Sequence, residues 1–178
     1  MTRSLEDTVV ARLRAAGCVF AEDEARLLLA EAGPGALEAL VARRVAGEPL
    51  EHVLGWAGFC GLRVAVAPGV FVPRRRTEAL AEEGVALSRP GAVVVDLCCG
   101  SGALGLAVAA SVADVELHAA DVDPAAVACA RANLAGVGGR AYAGDLFGAL
   151  PGELRGRVDL LLANVPYVPS DAIALMPP

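Results

Sequence analysis

Four polar side chains each close an apolar run in the second half of the chain. Asp96 ends Val93-Val94-Val95, Asp121 follows Val115 to Ala120, Asp145 follows Ala141 to Ala143, and Asn164 follows Val158 to Ala163. Three carboxylates and a carboxamide accept hydrogen bonds from hydroxyl and amino groups. Directly after Asp96 comes Cys98-Cys99-Gly100-Ser101-Gly102, a small-residue loop that leads into an alanine-rich segment. Glycines let such a loop turn sharply and approach a ligand, and the first amides of the next helix are unpaired donors. Asp121 lies 19 to 21 positions beyond the Gly100 to Gly102 loop. At that spacing doubly wound folds hold the hydroxyls of a bound ribose. The chemistry indicated is recognition of a nucleoside-like ligand.

These groups converge only if the apolar runs are neighbouring strands of one parallel sheet. Val93 to Leu97 reads as a strand covered on both faces, Ala103 to Ala110 as a helix, and Val115 to Ala120 as the next strand. Asp123-Pro124 supplies a cap and first turn for a helix Ala125 to Leu134, which leaves Asp121 for ligand. A short strand at Ala141 to Ala143 and a fourth at Val158 to Ala163 complete the alternation. Open parallel sheets bind at the carboxyl ends of their strands, so Asp96, Asp121, Asp145 and Asn164 share one rim. His118, inside a strand, reads as a core residue.

The first half has a different texture. Leu5 to Ala16, Glu22 to Ala32 and Pro34 to Ala46 repeat apolar residues at helical spacing, with Gly17, Gly33 and Gly47 as stops. His52 and Trp56 fall in a connector, the first as a surface or capping histidine, the second as packing. Phe59 to Val66, with Gly61 near its centre, reads as a β-hairpin. Arg74-Arg75-Arg76 precedes Thr77, placed to cap a helix that ends before Pro90-Gly91. The triplet reads either as a solvated face or as the entrance to a substrate site.

Composition narrows the partners. The 178 residues carry a net charge of −6, and every basic residue is arginine. Up to Pro90 there are 11 arginines against 12 acids, and thereafter 4 against 9. Such a chain is a poor sequence-independent ligand for duplex nucleic acid, which is held through phosphate neutralisation. No apolar run reaches the ~18 residues of a membrane span, and MTRSLEDTVV has no apolar signal core, so a cytoplasmic protein is expected. The five cysteines contain no C-x-x-C pair, so neither a disulfide framework nor a metal site is indicated.

In order along the chain, Gly47-Glu48-Pro49-Leu50 through Gly55, the hairpin with Gly61-Leu62, Val72-Pro73-Arg74 with Thr77-Glu78, Asp96 through Gly102, Asp121, Asp145-Leu146-Phe147 and Asn164-Val165-Pro166-Tyr167 resemble the HemK/PrmC family of protein-(glutamine-N5) methyltransferases. The resemblance implies an α/β, Rossmann-like class I methyltransferase sheet, with an N-terminal helical bundle (1–55), a hairpin linker (56–76) and an S-adenosylmethionine-binding domain (77–178). It implies a cofactor site of Asp96, Cys98, Cys99, Gly100, Ser101, Gly102, Asp121, Asp145, Leu146 and Asn164. It also implies a catalytic segment in which Asn164 and the Val165 carbonyl hold a glutamine amide, Pro166 stiffens the loop and Tyr167 forms a wall. The partner implied is a protein substrate such as a peptide-chain release factor.

Three positions depart from the family pattern. Cys98 stands at the loop's usual first glycine, Val165 replaces the first proline of the Asn-Pro-Pro-Tyr signature, and Leu146 stands where an aromatic residue is common. The chain also stops soon after the fourth strand, so the sheet is expected to be incomplete on its C-terminal side, with that strand as an uncovered edge. An N6-adenine nucleic-acid methyltransferase, which uses a similar loop for an exocyclic amino group, is the alternative enzyme. A non-catalytic cofactor- or partner-binding remnant is the alternative outside enzymes.

Overall fold

A computed structural model describes residues 4–165 of the chain. The polypeptide enters its first helix, α1 (Leu5–Ala15), through a capping box: Ser4 accepts from the Asp7 amide, and the Asp7 side chain accepts from the Ser4 amide. Helices α2 (Ala21–Glu31) and α3 (Leu37–Val45) follow. Their apolar faces, through Val9, Leu13, Ala25, Leu28 and Val41, close one buried cluster. Within it the nearly buried Glu24 is neutralised by Arg44 at 2.7 Å. The expected connector contains a further short helix, α4 (Leu50–Leu54), which adds Val53 to the cluster. His52, on α4, is half-buried and its Nε2 lies 2.9 Å from the Val70 carbonyl.

A hairpin forms about Gly61 as expected, but it begins before the expected Phe59: β1 (Trp56–Phe59) takes in Trp56 from the expected connector, and β2 is Leu62–Ala65. Its two turn residues, Cys60 and Gly61, have φ of +48° and +74°, the left-handed pair that suits the twist of a two-residue hairpin. Trp56 packs as expected, with the Arg63 guanidinium 4.0 Å from its ring. One local expectation fails at the next helix, α5 (Glu78–Leu87). Thr77 does not cap it, because Arg75–Thr77 already forms a turn of 3-10 helix and Thr77 has helical φ and ψ of −84° and −10°. A capping side chain needs an extended backbone.

The centre of the molecule is a parallel sheet of β3 (Val93–Leu97), β4 (Glu116–Asp121), β5 (Arg140–Ala143) and β6 (Leu160–Ala163), in the order β5-β4-β3-β6. All five residues of β3 are buried, as its unbroken apolar run requires. Helices α5, α6 (Ala103–Ser111) and α7 (Pro124–Leu134) supply the core on the Val94, Leu117 and Leu162 face. Glycine lets them approach closely. A Cβ on Gly84 of α5 would meet Leu162 at 3.0 Å and Val108 at 3.1 Å, and one on Gly105 of α6 would meet Leu117 at 2.9 Å. On the opposite face Val95, Leu97 and Ala120 pack against Ala149 and Leu150. His118 is fully buried within β4, bonded to the Tyr142 hydroxyl at 3.0 Å and Glu116 at 3.1 Å. Among the described residues β6 is an edge strand, with Leu161 of that strand exposed. No helix of the described residues is long and apolar enough to cross a membrane.

Candidate functional site

β3 and β4 lie in register with Asp96 beside Ala119 and Leu97 beside Ala120, so the chain leaves both strands at the same rim. The loop after β3 then alternates its backbone. Cys98, Gly100 and Gly102 have φ of +53°, +54° and +76°. Gly102 starts α6 and sits so close to α7 that a Cβ there would meet that of Ala130 at 3.2 Å. A Cβ on Gly100 would meet nothing within 4 Å, because that side of the loop is open. The cavity over it measures about 500 Å³, within the range of small-ligand sites.

Asp121 forms the far side of this cavity. Its Oδ2 accepts from the Gly100 amide at 2.9 Å and its Oδ1 from the Asp123 amide at 3.0 Å. Asp123 caps α7 as expected, accepting from the Ala125 amide at 2.8 Å. Asp121 is therefore not left over for ligand in the sense expected. It already holds the loop, and each oxygen keeps a lone pair for a further donor.

The cavity brings together Cys98, Cys99, Gly100, Ser101, Asp121, Asn164 and Val165 from the expected set. Asp96 is not on the rim but completely buried below it, with Oδ2 accepting from the Gly105 amide at 2.9 Å and Oδ1 without a partner. Burial, opposed by that amide bond and assisted by the negative charge of Asp121, pushes its carboxyl up to about 7. Burial and the charges of Asp121, Asp96 and Asp145 push the Cys98 thiol up. Burial with Asp96 and Asp121 does the same for Cys99. Both are thiols, not thiolates, at neutral pH. Gly102 supports the loop from the α7 side. Asp145 and Leu146 lie outside the cavity wall and are exposed, Leu146 with φ of +44°. Pro166 and Tyr167 lie outside the described residues.

Several wall residues had no strong local signal. Phe59 from β1, Phe71 and Pro73 from the following loop, Leu104 of α6 and Val122 after β4 make the wall largely apolar. Phe71 and Val122 are large apolar side chains that stay exposed at this wall. Asn133 of α7 was also missed. Its Nδ2 donates to the Ser101 carbonyl at 2.8 Å and the Ala65 carbonyl at 2.9 Å, while its Oδ1 accepts from the Ala65 amide at 2.8 Å. One side chain thereby ties the cavity loop to the hairpin.

Comparison with known proteins finds relatives of the chain. Residues 62–175 match the family Methyltransferase small domain. The chain is 46% identical over 140 residues to the release factor glutamine methyltransferase of Mycolicibacterium smegmatis (77% of this chain, 50% of that one). It is 38% identical over 164 residues to a 4-amino-L-phenylalanine/4-methylamino-L-phenylalanine methyltransferase of Streptomyces pristinaespiralis (88% and 56%). To the release factor glutamine methyltransferase of Bifidobacterium longum it is 33% identical over 202 residues (93% and 69%). The chain spans about half the length of the first two of these relatives.

Proposed function

The chain belongs to the HemK/PrmC family of class I methyltransferases, and from that premise we propose that the protein methylates the side-chain amide nitrogen of a glutamine in a peptide-chain release factor. The methyl donor in this reading is S-adenosylmethionine, and the reaction belongs to the cytoplasm. The observation that carries it is one cavity of about 500 Å³ walled by the glycine loop, Asp121 and Asn164 together. The N6-adenine alternative is not favoured, since the relatives named above act on release factors or on an amino acid.

The residues present suit that donor. Asp121 would accept the ribose hydroxyls with the lone pairs its two backbone amides leave over. The loop from Cys98 to Gly102 would lie against the amino-acid end, and Val122 and Leu104 offer apolar wall to the base and thioether. When bound, the donor supplies an electrophilic methyl group on a sulfonium.

The remaining difficulty is the acceptor, because an amide nitrogen has its lone pair delocalised into the carbonyl. Asn164 and the Val165 carbonyl would accept the two N–H groups of the glutamine and aim its nitrogen along the line of attack. Such orientation is worth on the order of 7–11 kcal/mol in favourable intramolecular cases. Val165 keeps the needed carbonyl, and its position before Pro166 biases it to an extended backbone. Pro166 would stiffen this loop and Tyr167 would wall the acceptor. No base is required in the transfer step, since the nitrogen becomes acidic once methylated and loses its proton to water.

Transfer of labelled methyl from S-adenosylmethionine into purified release factor, compared with DNA, RNA and 4-amino-L-phenylalanine, tests the proposal. Label in the release factor that falls by about 10²-fold in Asn164→Ala, the usual scale for loss of one orienting group, is the expected result. Label in nucleic acid or in the amino acid, with none in the release factor, overturns it.

A further inference from the structure

Arg74, Arg75 and Arg76 lie on the lip between two cavities. Arg74 and Arg76 line the cavity of the glycine loop. Arg75 lines a second one of about 340 Å³ with Trp56, Arg63 and Glu78, and Phe59 borders both. All three arginines are exposed. Several arginines elsewhere are matched. Arg12, Arg14, Arg26, Arg43, Arg44 and Arg63 each hold a carboxylate. Among the described residues no carboxylate stands against any member of the triplet, and Arg74 meets only the Phe71 ring, at 5.5 Å.

The two acids in the cavity walls are committed elsewhere. Asp121 takes the Gly100 and Asp123 amides, and Glu78 takes the Cys60 amide at 3.0 Å. A protein with a net charge of −6 therefore keeps three adjacent uncompensated guanidinium groups at the mouth of its site. Like charges side by side repel, and among the described residues only the Arg74–Phe71 ring contact offsets that repulsion. Guanidinium groups bind carboxylates with paired, charge-assisted hydrogen bonds.

We propose that this lip docks an acidic segment of the methyl-acceptor protein, so that carboxylates flanking the target glutamine help select it. The inference rests on the protein-glutamine reading above and names its substrate class. A polypeptide fits better than a nucleic acid, because three positive charges attract a few local carboxylates, whereas the net charge of −6 on the whole protein repels an extended phosphate backbone.

The test uses the full-length protein and peptides centred on a glutamine, flanked by glutamates, serines or lysines. Labelled-methyl transfer should favour the glutamate-flanked peptide over the serine-flanked one by roughly tenfold in kcat/KM. The preference should shrink as salt shortens the screening length, and R75E/R76E should reverse it toward the lysine-flanked peptide. The ratio between peptides is the readout, which a general loss of activity does not move. Equal kcat/KM for the glutamate- and serine-flanked peptides overturns the proposal. Fluorescence anisotropy with the labelled glutamate-flanked peptide separates the two readings. If no peptide is methylated, the glutamine reading fails, yet salt-sensitive binding that R75E/R76E abolishes still supports the docking lip. Absence of binding, or tighter binding of a single-stranded RNA of equal charge, overturns it.

Discussion

The Asp121 carboxylate, at the end of β4, accepts the amide of Gly100 at 2.9 Å from the loop after β3. One side chain thus sets the height of the loop floor and presents charge to the cavity. Its second oxygen is fixed by the Asp123 amide, so the carboxylate cannot swing away.

Removing this tether should be felt twice. Asp121→Ala is expected to weaken S-adenosylmethionine binding at least tenfold by calorimetry and to lower stability by about 1–3 kcal/mol, the scale of hydrogen bonds to a charged group. Asp121→Asn, which keeps one acceptor oxygen, should fall between. Wild-type affinity in the alanine variant would remove Asp121 from the cofactor site.

Asp96 predicts a pH dependence of stability. Its folded carboxyl titrates near 7 against an ordinary value of 3.8. From about pH 4 to pH 7 the unfolded chain therefore releases a proton that the folded protein retains. Stability falls as pH rises through that window, by up to roughly 4 kcal/mol, and is flat in this respect above it. Asp159, held low by the Val93 amide, acts oppositely in acid, losing its contribution as pH falls. The comparison that isolates Asp96 is therefore urea denaturation of wild type and Asp96→Asn across this range. The variant should lack the decline, and parallel curves would refute the assignment.

Cys98 holds a left-handed backbone, a conformation that glycine adopts without strain. At φ of +53° its Cβ costs roughly 1–2 kcal/mol, against the ~0.5–1 kcal/mol of chain entropy that glycine would add. Cys98→Gly should leave stability within about 1 kcal/mol of wild type and raise cofactor affinity several-fold as the side chain leaves the cavity wall. Weaker binding in the variant would show that the thiol helps hold the ligand.

Asn133 offers a separation of donor from acceptor. Asn133→Asp keeps the acceptor for the Ala65 amide but loses both donated bonds, including the one to Ser101. Hydrogen exchange should then quicken through Gly100–Gly102, with cofactor affinity reduced and the β1–β2 pairing little changed. Unaltered exchange in that loop would mean that Asn133 serves only the hairpin.

What was legible in the sequence is what short-range physics decides. The Val93–Leu97 strand, the alanine-rich α6, the Asp123-Pro124 cap and the Cys60–Gly61 turn each follow from side-chain period or from backbone preference over a few residues. Where two local devices compete, the sequence alone misleads. Thr77 is a good capping residue, but the turn before it is already helical.

The sequence by itself determined the alternation of strands and helices and the polar residues that end the strands, because both are written in neighbouring positions. Only the tertiary structure decided which of those residues share a cavity. The pleat turns Asp96 under α6 and not out to solvent, and Asp145 lies off the cavity wall. Phe71, Arg74 and Arg76 reach the cavity from a loop 20 or more positions before the Cys98–Gly102 turn. Such meetings depend on how the loops pack across the end of the sheet, and that packing is set by long-range burial, which no window of adjacent residues contains.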